Sequence, residues 1–234
     1  ADQIKRVTLE LGGKSANIVF EDADVMKAAT TAPYAVFENA GQDCCARSRI
    51  LVQKSVYEKF MEALEPVVKA VKVGDPSLSG TEVGPLVSKA HRENVSGFLE
   101  GADVAFRGSA PTGKGFWFAP TVVVAKSPSD KCMAEEIFGP VVTVYQFETE
   151  AEAIELGNGT EYGLSGSIWT RDMGRGIRVS RAVQSGNLSV NSHSSLRYTT
   201  PFGGMKQSGM GRELGPDAPL HFTEEKVVFF NSES

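Results

Sequence analysis

The sequence predicts an α/β fold in three layers, a parallel sheet covered by helices on both faces. Two observations carry this expectation. Short runs rich in β-branched residues recur along the chain, and most are apolar throughout, as strands buried on both faces are. Between them lie amphipathic stretches with apolar residues at helical spacing, the rhythm that builds βαβ units. The 234 residues, 41% hydrophobic and 23% charged, suffice for one large domain with its own core.

The elements follow in order. The opening ADQIKRVTLELGG alternates like a strand and has no apolar signal-peptide region. It also lacks a starting methionine, which fits a piece of a longer protein. SANIVF (15–20) is a short apolar strand, and the alanine-rich stretch 22–38 is helical with an interruption at Pro33. SRILVQ (48–53) is again a strand. Ser55 and Glu58 form a capping box that opens a helix with Val56, Phe60, Leu64, Val67 and Val71 on one face. GDPSLSGTEVGP is a loop, and Ser88 starts another short helix. Strands follow at 102–108, 121–125 and 140–147. Thr149 and Glu152 repeat the capping box before AEAIELG, and SGSIWT (165–170), a helix over 172–184 and NLSVN (187–191) complete the series. The stretch 201–215 is glycine-rich and irregular. EEKVVFFN (224–231) reads as a lone terminal strand, suited to pairing with another chain's sheet edge.

Bulk properties exclude several function classes. Net charge is −5 with a pI near 5.4 and no long basic run, so nucleic acid and anionic membrane surfaces are poor partners. No apolar stretch approaches the roughly 18 residues of a membrane span. Three cysteines, Cys44, Cys45 and Cys132, make a poor disulfide framework and fit a reducing, cytoplasmic setting. GSAPTGK (108–114) matches a phosphate loop until Gly115 stands where Ser or Thr must hold magnesium. GMGRELG has Leu214 in place of its third glycine and follows no strand of a βαβ unit. No metal site is expected: His91, His193 and His221 are scattered, and adjacent Cys44 and Cys45 lack the gap through which two thiolates share a zinc.

FENAGQDCCARSR (37–49) places two cysteines in a polar, glycine-marked loop. A loop cysteine is more often inert than catalytic. A nucleophilic one needs its thiolate, an oxyanion donor and a group that manages protons. Amides over Gly41 to Cys44 are candidate donors. Glu10, followed by two glycines that admit close approach, is a candidate base or else a solvated acid in a turn. The residues alone leave both readings open.

Taken together, LELGGKSANIVFEDAD, FENAGQDCCARSR, EEIFGPVV, EYGLSGSIWT, SGNLSVN and PFGGMKQSGMGRELG closely resemble the aldehyde dehydrogenase superfamily, in order and spacing along practically the whole chain. The resemblance implies a catalytic domain of that type over 12–190. Residues 1–11 would be strand and linker from a cofactor domain, 191–213 a return segment toward it, and 214–234 an oligomerisation arm. It makes Cys44 the nucleophile, with Cys45 a packing neighbour. Glu10 becomes the base for the deacylating water, and Glu213 a proton relay. Leu11, Gly12, Glu136 and Phe138 would meet the nicotinamide side of NAD or NADP, Glu136 through the ribose hydroxyls. Pocket positions fall on Glu38, Asp43, Leu196 and Phe202, and the two acids suggest an aldehyde bearing a positive or hydrogen-bonding group, such as an aminoaldehyde.

The implied reaction turns an aldehyde into a free carboxylate through a Cys44 thiohemiacetal and thioester, in a homo-oligomer, dimer or tetramer. By the same resemblance the adenine-binding domain is absent, so the chain alone should be impaired. The segments 1–11 and 191–213 should be loose. A non-enzymatic truncated relative and an esterase using only Cys44 and Glu10 are the competing readings.

Overall fold

A computed structural model describes residues 2–194 and 196–232. The strands are β1 (Leu9–Glu10), β2 (Ala16–Val19), β3 (Arg49–Gln53), β4 (Asp103–Arg107), β5 (Thr121–Val124), β6 (Val141–Phe147), β7 (Tyr162–Gly163), β8 (Ser165–Trp169), β9 (Asn187–Val190), β10 (Met205–Lys206) and β11 (Gly209–Met210). The helices are α1 (Val25–Phe37), α2 (Tyr57–Ala70), α3 (Lys89–Gly97), α4 (Lys131–Ala134), α5 (Glu150–Asn158) and α6 (Met173–Ala182).

The main sheet has seven strands in the order β4-β5-β6-β3-β2-β8-β9. Successive side chains of a strand face opposite sides, and the core divides accordingly. Ile50 and Val52 of β3 pack with Phe37 of α1 and Phe60, Leu64 and Val68 of α2. Leu51 packs on the other side, with Ile18, Phe147, Leu156 of α5 and Val179 of α6. Both faces are dry, which is why the strand sequences are apolar without alternation.

The wholly parallel sheet expected from the pattern needs one correction. β4 runs antiparallel to β5 at the edge. The segment joining them contains no helix to carry a crossover, so the chain turns back on itself. β4 is also the strand that alternates exposed and half-buried residues, as an edge strand with one wet face does.

Three local expectations also change. α1 runs through Pro33 without ending, its Ala28, Ala29, Ala32, Val36 and Phe37 buried on both sides of the proline. Packing outweighs the missing N–H. The Ser55 capping box does not form: α2 has no side-chain cap, because the Ser55 hydroxyl donates to Glu21 at 2.7 Å instead. The Thr149 cap does form, with the return bond from Glu152 falling one residue before the cap. Its hydroxyl accepts from the Glu152 N–H at 3.2 Å, and Glu152 accepts from the Glu148 N–H at 2.7 Å.

The expected looseness of 191–213 does not extend to its second half. β1 pairs with β11 and β10 with β7, both antiparallel. Ser208 is fully buried; its hydroxyl accepts from the Gly163 N–H at 2.9 Å and its carbonyl from the Leu11 N–H at 3.0 Å. These bonds dock the segment on the sheet layer and place Glu10. The run 224–231 forms no ladder among the described residues, since a strand needs a neighbour and the chain offers it none. Val227, Phe229 and Phe230 are at least 84% exposed.

Candidate active site

The Cys44 loop begins where α1 stops. Glu38–Gly41 form a tight helical turn in which Asn39 (φ 52°), Ala40 (φ 58°) and Gly41 (φ 72°) are successively left-handed. Each non-glycine residue held there costs roughly 1–3 kcal/mol, so the surroundings must impose it. They do so with polar tethers. The Asn39 amide donates to the Gln42 carbonyl at 2.8 Å, and the Gln42 amide returns to the Asn39 carbonyl at 3.1 Å. Gln42 also accepts from the Val87 N–H at 2.9 Å. Asp43 accepts from the Cys45 N–H, and the buried Arg47 guanidinium donates to the Cys45 carbonyl, each at 2.8 Å. Gly41 is obligatory, because a Cβ there would overlap the Gly139–Pro140 peptide.

The two sulfur atoms lie 4.0 Å apart. A hydrogen bond from the Cys45 thiol holds Cys44 below the usual thiol range, while burial, Asp43 and Glu10 oppose the shift. Cys45 is pushed far up by the same bond and by burial. Cys44 is therefore the more acidic thiol of the pair.

The stretch after Glu10 joins the distant parts. A Cβ on Gly13 would strike the Cys44 carbonyl, and one on Gly12 would strike the Glu136 carboxylate. Gly13 donates its N–H to Glu136 at 2.9 Å. Behind this loop, the buried Arg49 guanidinium donates to the carbonyls of Lys14 (2.8 Å), Leu156 (2.8 Å) and Gly157 (3.0 Å), tying it to the end of α5. Burial raises the Glu136 carboxyl, with the Gly13 N–H and Lys14 opposing.

Glu10 sits at the β1–β11 pair, opposite Gly209. Its two carboxylate oxygens are shielded from water and accept no well-formed hydrogen bond among the described residues. Burial first, then the Glu213 charge, raises its pKa, and the Gly204 amide and Arg212 pull the other way. Glu213 is exposed and exchanges two 2.7 Å backbone bonds with Phe202. Phe138 is left-handed (φ 56°) and 39% exposed. Its carbonyl lies 2.6 Å from the His91 ring nitrogen, and the two rings meet edge-on at 6.2 Å.

Cys44, Glu10, Gly12 and Glu136 are thus brought together. Leu11 is 47% exposed and enters through its backbone only. Glu38 and Asp43 line one cavity of about 440 Å³ with Lys27, Tyr34, Arg47 and His193. Leu196, half exposed, and Phe202, buried, do not line it. Two neighbours carry no signal in the sequence. His91 lies 47 residues from Phe138 and meets it only in the folded chain. Lys14 is fully buried with no hydrogen-bond partner for its amine among the described residues, and burial beside Arg49 lowers it to about 7. Adjacency was also the ground for setting a metal aside, yet the turn at Cys44–Cys45 brings one donor atom each of Asp43, Cys44 and Cys45 within 4.8 Å of one another.

A sequence profile of the Aldehyde dehydrogenase family matches residues 1–228. Aldehyde dehydrogenases of Emericella nidulans and Aspergillus niger are 44% and 45% identical to this chain over 232 residues, taking in 97% of it and 47% of each relative. A solved NAD+ complex of the Bacillus cereus aldehyde dehydrogenase superposes with a TM-score of 0.93 at 41% identity, covering 98% of this chain and 48% of that one. Betaine aldehyde dehydrogenase of Staphylococcus aureus in complex with NAD+ gives 0.86 at 42% identity, covering 91% and 44%. The chain spans about half the length of the curated relatives it matches. No helix among the described residues is long and apolar enough to cross a membrane.

Proposed function

The chain belongs to the aldehyde dehydrogenase family, and from that premise we propose that it carries the acyl-transfer half of an NAD(P)-dependent oxidation of an aldehyde to a carboxylate. One observation carries the reading: the Gly12–Gly13 peptide packs on the Cys44 backbone and on the Glu136 carboxylate at once.

The Cys44 thiolate adds to the aldehyde carbon. The oxyanion that forms takes hydrogen bonds from loop amides held by Gln42 and Arg47. Glu136 and Phe138 fit the nicotinamide side of the cofactor: a desolvated carboxylate with one oxygen already oriented by Gly13, beside an aromatic ring fixed by its own strained backbone. A nicotinamide cofactor held there by Glu136 and Phe138 would supply the hydride acceptor that the oxidation requires. The thioester left on Cys44 then needs water. Glu10, raised by burial and by Glu213, takes the water's proton and passes it outward toward that exposed acid. Because the Glu10 pKa is raised, deacylation falls off with acidification from a higher pH than an ordinary glutamate would give.

Glu38 and Asp43 at the 440 Å³ cavity favour a substrate with an amino group, with aminobutyraldehyde turned over better than hexanal. The exposed 224–231 run supports a homo-oligomer arm. The test is covalent trapping. An aldehyde offered with NAD+ to the chain, alone or joined to a cofactor-binding half of a relative, leaves an acyl group on the Cys44 peptide by mass spectrometry, longer-lived in Glu10→Gln. An adduct on Cys45 or Cys132, or none in either setting, rules the reading out.

A further inference from the structure

The cluster at the nucleophile has a second capacity that oxidation of aldehydes does not use. Asp43, Cys44 and Cys45 are consecutive, and one donor atom from each lies within 4.8 Å of the others. In a tetrahedral zinc site with zinc–sulfur bonds of about 2.3 Å, two thiolates stand about 3.8 Å apart. Here the sulfurs are already 4.0 Å apart. Asp43 is exposed at the cavity of about 440 Å³, which leaves room for water in the remaining coordination position. The loop that presents these donors is braced by Gln42 and Arg47, so little chain entropy remains to be lost on binding. The Arg47 charge acts on Cys45 and opposes a cation there, while the Asp43 and Glu10 carboxylates act on Cys44 and favour one.

We propose that Asp43, Cys44 and Cys45 form a site for a thiophilic divalent cation, zinc in the first instance, that occupies the nucleophile reversibly. Each thiol gives its proton to solvent as its bond to the metal forms, and no electrons are exchanged. While the metal is bound, Cys44 is closed to electrophiles. Two thiolates and a carboxylate distinguish this site from the weak association of zinc with any single cysteine.

The experiment needs no turnover. The fully reduced 234-residue chain is titrated with zinc against a chromophoric chelator, and with cadmium while the ultraviolet sulfur-to-metal absorption is followed. One equivalent binds. The cadmium absorption falls to about half in Cys45→Ala, and zinc affinity drops by at least the roughly tenfold that loss of a mere outer-shell partner costs a metal site. Asp43→Asn keeps the full absorption and binds more weakly, while Cys132→Ala changes neither reading. Zinc also protects the Cys44 and Cys45 peptides from iodoacetamide until a chelator is added. Circular dichroism shows that the variants remain folded. Unchanged zinc affinity and cadmium absorption in folded Cys45→Ala, or full alkylation of Cys44 under saturating zinc, overturns the proposal. A failure here leaves the acyl-transfer reading untouched, since trapping on Cys44 requires no metal.

Discussion

The Cys44 loop and strand β3 are four residues apart in the chain and are held in place by opposite means. Ile50, Leu51 and Val52 are fully buried, with regular ladders to β2 and β6 on either side. The loop has three consecutive left-handed residues and only half-buried sulfurs, and it keeps its shape through side chains that bond to backbone. Burial is non-directional and tolerant, whereas those tethers are directional and few. The strand therefore sets whether the chain folds, and the loop sets what Cys44 does once it has.

The contrast breaks if damage to one region registers in the other. Leu51→Ala should cost the most stability, about 2–5 kcal/mol by chemical denaturation, because a fully buried leucine between two helices leaves a cavity. Its native-state rate of Cys44 alkylation should stay at the wild-type value. Gln42→Ala removes the acceptor of the Val87 N–H and one strap of the turn, and should cost about 1–3 kcal/mol. Here alkylation must change as well; a rate equal to wild type would show that the loop holds its shape without its tethers. Thr149→Ala, at the α5 cap far from the site, should cost about 1 kcal/mol and leave alkylation alone.

The smallest effect on folding sharpens the comparison most. Cys45→Ala deletes the hydrogen bond that favours the Cys44 thiolate, so the pH midpoint of Cys44 alkylation should move upward. The sign follows from the pair: the lowered group loses its donor and returns toward an ordinary thiol. A midpoint that moves down or stays in place would mean that Cys45 does not supply that bond.

The same division decides what could be read from the sequence. Strands β2, β3, β5 and β6 were visible because apolar burial marks nearly every residue of the run, while β8 and β9, with their serines, show it only in part. Polar partnerships leave no such mark. Ser55 and Thr149 begin the same motif, yet only Thr149 caps its helix, and nothing local announces that Glu21 claims the Ser55 hydroxyl. Cys44, Glu10 and Glu136 could be singled out only because their surrounding stretches resemble a family. Their meeting through Gly12 and Gly13 is a matter of space, invisible until the chain is folded. His91 beneath Phe138 and the antiparallel edge at β4 were missed for the same reason: each depends on a partner distant in sequence.

The two glycines leave the Cys44 carbonyl and the Glu136 carboxylate divided by a partition one peptide thick. With no side chain on either residue, only backbone stands between the two groups, and a methyl group added at Gly12 or Gly13 would have to displace the Glu136 carboxylate or the Cys44 carbonyl.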